Sequence, residues 1–255
     1  MEAQTRRKSF EFAAYLAWLS LCLQACAAGT ELGSYPRRQI DRPYTLPSGV
    51  DAWEVDLGGS VARENPGSTA RFELQPLTWH LSLSDDWMLE LTPLPSGIAY
   101  QFVRTDDQLL GAKLSLGWGF GSQGFLFAPL LRVEHRMRFA SFLAWTTTAS
   151  GVTWRWTEEP AWGWSLGAST GPLFQVTDAL ALQPAIGVAA ARSHLLGGVY
   201  SYLLDPAELF FPVGMTASLS VARQWDINAS FNYDGIGAPQ GYRAYRATLA
   251  AAHFW

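Results

Sequence analysis

Residues 125–139 read Phe-Leu-Phe-Ala-Pro-Leu-Leu-Arg-Val-Glu-His-Arg-Met-Arg-Phe. From Leu131 the stretch alternates: Arg132, Glu134, Arg136 and Arg138 share one parity, and Leu131, Val133, Met137 and Phe139 share the other. Successive side chains leave a strand on opposite faces, so one face here is charged and the other mainly apolar. A helix would scatter the same residues around its axis. A single strand of this kind fits any half-buried sheet; its meaning comes from the rest of the chain.

Downstream, Trp162, Trp164 and Leu166 alternate with Gly163, Ser165 and Gly167. Met215, Ala217 and Leu219 alternate with Thr216, Ser218 and Ser220, and Ile227, Ala229 and Phe231 with Asn228, Ser230 and Asn232. Upstream, Leu114 and Leu116 oppose Lys113 and Ser115; Trp87, Leu89 and Leu91 oppose Met88 and Glu90; Trp79 and Leu81 oppose His80 and Ser82. Trp53, Val55 and Leu57 oppose Glu54 and Asp56. One face is aliphatic and aromatic, whereas the other is mostly Gly, Ser, Thr and Asn. A soluble sandwich also alternates, but it normally turns Lys and Glu outward. The chain holds 12 Trp, 14 Phe and 9 Tyr, and only 16% of it is charged, against about a quarter in ordinary globular proteins. Such aromatics suit the two girdles of a barrel at the membrane interfaces. The expected fold is all-β: a transmembrane antiparallel β-barrel of 10 to 12 strands, polar inside and apolar outside. A soluble secreted β-sandwich or lipocalin-like binding protein is the alternative architecture.

The apolar phase slips near Gln75-Pro76, which predicts a bulge, and slips again at Pro93-Leu94-Pro95. Short turns at Ser84–Asp86, Thr177–Asp178 and Gln224–Asp226 look periplasmic, with longer loops at the opposite end. Between the first two turns five strand-like segments are visible, yet an even number is required. Either a loop excursion occupies residues 140–157 or one segment splits in two, which leaves totals of 10 or 12.

Residues 1–25 read as a signal peptide: Arg6-Arg7-Lys8 precedes an apolar run over residues 12–23. Cleavage has two open readings. Leu23-Gln24-Ala25-Cys26 resembles a lipobox, with Cys26 acylated; Ala25-Cys26-Ala27 equally suits ordinary cleavage before Ala28. A short anchor that is never removed is a third. Residues 26–49, rich in Gly, Pro and Arg without periodicity, read as a flexible periplasmic tail, and residues 50–255 as the barrel. Cys22 and Cys26 are the only cysteines, so no disulfide is expected within a mature chain. The net charge of −4 gives no sign of a nucleic-acid partner.

The leader, the alternation and the ending Ala252-His253-Phe254-Trp255 together resemble a bacterial outer-membrane β-barrel protein. The resemblance covers roughly residues 50–255. It implies a place in the outer membrane, with outer-membrane lipid and the barrel-insertion machinery as partners, the latter reading Phe254 and Trp255 as an insertion signal. It implies no particular activity, because many functions share this architecture.

Arg132, Glu134, Arg136, Arg138 and Arg155 are the expected lumen charge cluster. One use is a positive constriction that selects anions or acidic sugars. The other is an internal network pairing the arginines with Glu54, Asp56 or Glu90, which would plug a narrow barrel. His80, Ser82 and Glu90 on adjacent inward faces suggest a nucleophile and base. Their spacing resembles outer-membrane lipid A deacylases, whose motif sets His and Ser two residues apart. The rest of that motif is missing, since Leu83-Ser84-Asp85 follows; a lipid-modifying hydrolase is therefore the minor alternative. His80, His135, His194 and His253 are scattered, and no Gly-rich phosphate loop occurs, so neither metal nor cofactor is expected. The expected function is a narrow passive channel for small solutes, or a structural barrel, without enzymatic activity.

Overall fold

The computed structural model describes residues 35–64, 67–92, 94–121, 124–156, 162–193, 204–221, 224–236 and 243–255. The leader, Cys26 and its cleavage site, and the beginning of the expected tail lie outside these residues. Twelve strands are described: β1 (Ala52–Glu64), β2 (Gly67–Ser82), β3 (Trp87–Thr92), β4 (Leu94–Arg104), β5 (Gln108–Gly121), β6 (Gly124–Ala140), β7 (Leu143–Trp156), β8 (Trp162–Gln175), β9 (Leu180–Ser193), β10 (Leu204–Val221), β11 (Trp225–Ile236) and β12 (Arg243–Phe254). Each pairs antiparallel with its neighbours in sequence, and β12 returns to β1 to close the barrel. Closure satisfies every strand edge, which a sheet in hydrocarbon requires.

The strand count resolves to twelve for two reasons. The stretch from residue 143 to 156 is no loop excursion but β7, and a separate β4 begins at Leu94, opposite Thr92 of β3. The bulge expected near Gln75-Pro76 is present. Glu54 faces Thr78 while Asp56 faces Gln75, so β2 carries the extra residue at Pro76–Leu77, where a missing N–H does least harm. The turns after β2, β8 and β10 lie at one end, together with those at 105–107 and 141–142.

Alternation then sorts the side chains. Leu57, Leu114, Leu131, Leu166, Ile186, Met215, Phe231 and Leu249 are exposed on the outer surface, a larger apolar face than a soluble monomer tolerates. Aromatics collect toward its two margins. Near the short-turn end Trp225 packs between Trp53 and His253, with ring centroids 5.3 and 4.6 Å away. Tyr233 and Tyr245 stack at 4.9 Å farther up the wall. A barrel sealed by its own ladder resists detergent until heated. Unboiled protein in mild detergent should therefore migrate apart from boiled protein on a gel and give a β-rich circular dichroism spectrum; a helical spectrum would overturn the fold.

Candidate functional site

The lumen has two unlike walls. From β7 to β10 the inward positions include Thr146, Thr148, Ser150, Ser165, Ser169, Gln183, Thr216 and Ser218, all neutral, and on β11 Asn228 and Ser230 stand between the inward carboxylates Asp226 and Asp234. Most of the charges lie from β1 to β6. His80 lies between two carboxylates, its Nε2 3.4 Å from Glu54 Oε2 and its Nδ1 3.3 Å from Glu90 Oε1. Lys113 Nζ reaches the same Glu90 oxygen at 2.7 Å. Glu90, only 4% exposed, lies so close over Gly97 that a Cβ there would meet its Oε2 at 2.7 Å. On β6, Glu134 receives Arg132 at 3.3 Å and Arg136 at 3.1 Å. The expected cross-wall pairing of the arginines with Glu54, Asp56 or Glu90 is thus replaced: those glutamates hold His80 and Lys113, and the arginines share Glu134 or turn elsewhere.

They turn to the chain's own N-terminal side. The sequence suggests a flexible tail up to residue 49, but its described part is packed inside the short-turn end of the barrel. Tyr35, Ile40, Arg42, Thr45, Leu46 and Val50 are all buried. A 3-10 turn, Gln39–Asp41, sets Ile40 into a socket of Ala144, Leu173 and Ala181. Alanines at inward positions near the short turns, Ala52, Ala99, Ala144, Ala181 and Ala252, leave room for the segment and are themselves buried by it.

Polar groups complete this floor. Arg138 Nη1 donates to Asp41 Oδ1 at 2.7 Å, and Arg136 Nη1 donates to the carbonyls of Gln39 and Arg42 at 3.0 and 3.2 Å. Arg42 is ion-paired with Asp226 and donates to Ser220 Oγ at 2.9 Å. Its guanidinium stands 4.9 Å from the ring centre of Tyr35 and 5.4 Å from that of Phe254. Burial pushes the Tyr44 phenol up to about 12, against the opposing pull of Arg132. A cavity of about 430 Å³ remains beside the floor, bordered by Arg42, Pro43, Arg104, Asp107, Arg136 and Arg138.

Four of the five expected cluster residues therefore share one wall: Arg132, Glu134, Arg136 and Arg138. Arg155 does not join them. It stands opposite Phe127 and Trp162, both exposed on the outer surface, and belongs to that outer face toward the far end of the barrel. Phe254, expected as part of the insertion signal, has a place in the floor. It is 6% exposed, faces inward, and packs against Tyr35 at 4.7 Å, so part of the C-terminal aromatic pair closes the floor. The hydrolase arrangement is not assembled. Ser82 Oγ accepts from Gly49 N–H at 3.2 Å and sits 3.4 Å from Asp51 Oδ1, while both His80 nitrogens face glutamates.

No family model and no curated protein matches the sequence. Among solved structures, the chain is similar to an outer membrane channel from Pseudomonas putida F1, at 12% identity and a TM-score of 0.56, covering 89% of this chain and 100% of that one. Weaker likenesses are the NanC porin, at 9% identity, a TM-score of 0.45, and coverage of 76% and 98%, and OmpTdeltaL8, a loop-deletion mutant of an outer membrane protein of Vibrio cholerae, at 10%, 0.39, and 81% and 99%. With its closed antiparallel ladder, apolar girdled exterior and polar interior, the chain has the fold of a bacterial outer-membrane β-barrel protein.

Proposed function

We propose that the protein resides in the outer membrane as a narrow, non-enzymatic channel for small solutes. The carrying observation is a polar lumen inside an apolar exterior, narrowed at one end by residues 35–50 and lined most densely with charge from β1 to β6. Among the β6 arginines, Arg136 and Arg138 are engaged with the floor. Arg132 is the one whose side chain stays half exposed, at 49%, toward the lumen. A fixed cation at a narrow passage lowers the barrier to anions and raises it to cations. The similarity of the Pseudomonas channel supports the architecture that this reading needs.

Single-channel recording in planar bilayers tests it. Wild-type protein is expected to conduct with a preference for anions, and Arg132→Glu to shift the reversal potential toward cation preference without altering heat-modifiable migration. Absence of conductance at every voltage, in the wild type and in variants that displace residues 35–50 alike, would replace the channel with the structural-barrel reading. An unchanged reversal potential would remove Arg132 from the selectivity argument.

A further inference from the structure

We propose that the lumen floor is a peptide-binding site, with residues 35–50 as its tethered ligand, and that release of this segment opens the channel. The proposal rests on the channel reading above and adds how the periplasmic end is closed.

Wall side chains are arranged to read the segment's main chain, not merely to cover it. Gln175 Oε1 accepts from Ile40 N–H at 3.2 Å and Gln101 Oε1 from Tyr44 N–H at 2.7 Å. Both glutamines are buried, 7% and 2% exposed. Asp85 Oδ1 accepts from Ser48 N–H at 2.8 Å, and Ser82 Oγ takes that of Gly49. Arg136 binds the carbonyls of Gln39 and Arg42. Buried main-chain groups outside regular structure need such partners, and the wall supplies them from β2, the β2–β3 turn, β4, β6 and β8. A barrel that merely tolerated a disordered tail would have no reason to place amides and a guanidinium at these inward positions.

The wall also contains a seat shaped for one ring. A Cβ on Gly111 of β5 would lie 2.1 Å from Tyr44 Cδ1 and 2.4 Å from its Cγ. The aromatic ring therefore rests directly on the strand's backbone, in space that exists only because residue 111 lacks a side chain. Ile40 in its alanine socket is a second apolar anchor. The segment joins the barrel through Gly49, at φ 82°, a left-handed conformation that glycine adopts without strain. This ligand forms none of the strand ladder, since β1 begins at Ala52 and closes with β12 by itself. Its departure leaves the wall intact.

Two full-length variants separate ligand from seat. Asp41→Arg places a third cation against Arg38 and Arg138, which now share Asp41, while leaving every wall residue unchanged. Gly111→Val fills the Tyr44 seat. Both are expected to migrate as folded barrels and to conduct several-fold more than wild type. A synthetic peptide of residues 35–50, added on the side of the short turns, is expected to return Asp41→Arg to wild-type conductance. It should fail on Gly111→Val, and a scrambled peptide should fail on both. Adding Arg138→Asp to Asp41→Arg restores the ion pair reversed and should restore closure without peptide. If both variants fold and conduct no more than a conducting wild type, the segment is not a closing ligand, although the channel reading stands. If neither wild type nor variants conduct, the channel reading itself fails, and the proposal with it. Should Gly111→Val fail to fold, the peptide and reversed-pair results on Asp41→Arg decide; should Asp41→Arg fail to fold, the conductance of Gly111→Val against wild type decides.

Discussion

Asp226→Ala is expected to destabilise the barrel by about 3–5 kcal/mol, the usual cost of leaving one member of a buried ion pair alone. Asp226 and Arg42 are each only 6% exposed, and Asp226 also receives Gln39 Nε2 at 3.1 Å. Without the carboxylate, the Arg42 guanidinium stays between the Tyr35 and Phe254 rings with no compensating anion. Urea unfolding in detergent micelles, followed by tryptophan fluorescence, would show the midpoint fall at an unchanged slope. Asp178→Ala provides the contrast. Asp178 is 85% exposed and lies 3.8 Å from Arg38 Nε, so its loss should cost about 0–1 kcal/mol, as exposed pairs do. Replacing both partners by Arg42→Met and Asp226→Leu should recover most of the loss, because an apolar pair needs no charge balance. Equal midpoints for Asp226→Ala and Asp178→Ala would refute the buried pair.

The second large effect belongs to the outer face. Ile186, midway along β9 and 65% exposed, faces outward between Thr170 and Val213 on the neighbouring strands. If that surface lies in lipid, Ile186→Arg should cost about 2–4 kcal/mol, the penalty for a cation near the midplane of a membrane barrel. Gln183→Arg on the same strand faces the lumen and should cost far less. In a water-soluble barrel the ranking disappears, since substitution at an exposed site usually falls within about 0.5 kcal/mol of neutral. Folding titrations in phospholipid vesicles measure both variants, and equal small losses would take this face out of the membrane.

Much of the fold is legible from parity alone. On β6 the charged residues follow one another at every second position, and the structure turns all of them inward. The Pro76 bulge is legible too, because a register slip must exchange the faces. Arg155 shows where parity fails. In sequence Arg155 stands between Trp154 and Trp156, which reads as a polar residue flanked by an apolar face, but nothing local ties so short a run to the strands beside it. The ladder does so: Arg136 opposite Thr146 continues to Phe127 opposite Arg155, which places Arg155 outside. The floor was illegible for a related reason. Residues 35–50 touch partners on strands from β2 to β12, so their apolar members, Tyr35, Ile40, Tyr44, Leu46 and Val50, follow no period. The available signal was indirect: apolar residues isolated in a polar stretch, and alanines at inward positions beside the short turns.

That convergence on one floor also sets an order of events. Arg37 reaches Ser220 across 183 residues of sequence, Arg42 reaches Asp226 across 184, and Ile40 reaches Gln175 across 135. None of these contacts can form before β8, β10 and β11 have been brought round to the same end, and each closes a loop containing most of the chain. Hairpins such as β5–β6 need no such wait, since their partners are near neighbours. In a refolding time course, protection of the strand amides should precede protection of the Ile40 and Tyr44 amides. The first residues that the structure describes are in kinetic terms the last to arrive, and an occupied floor is evidence that the cylinder above it has already closed.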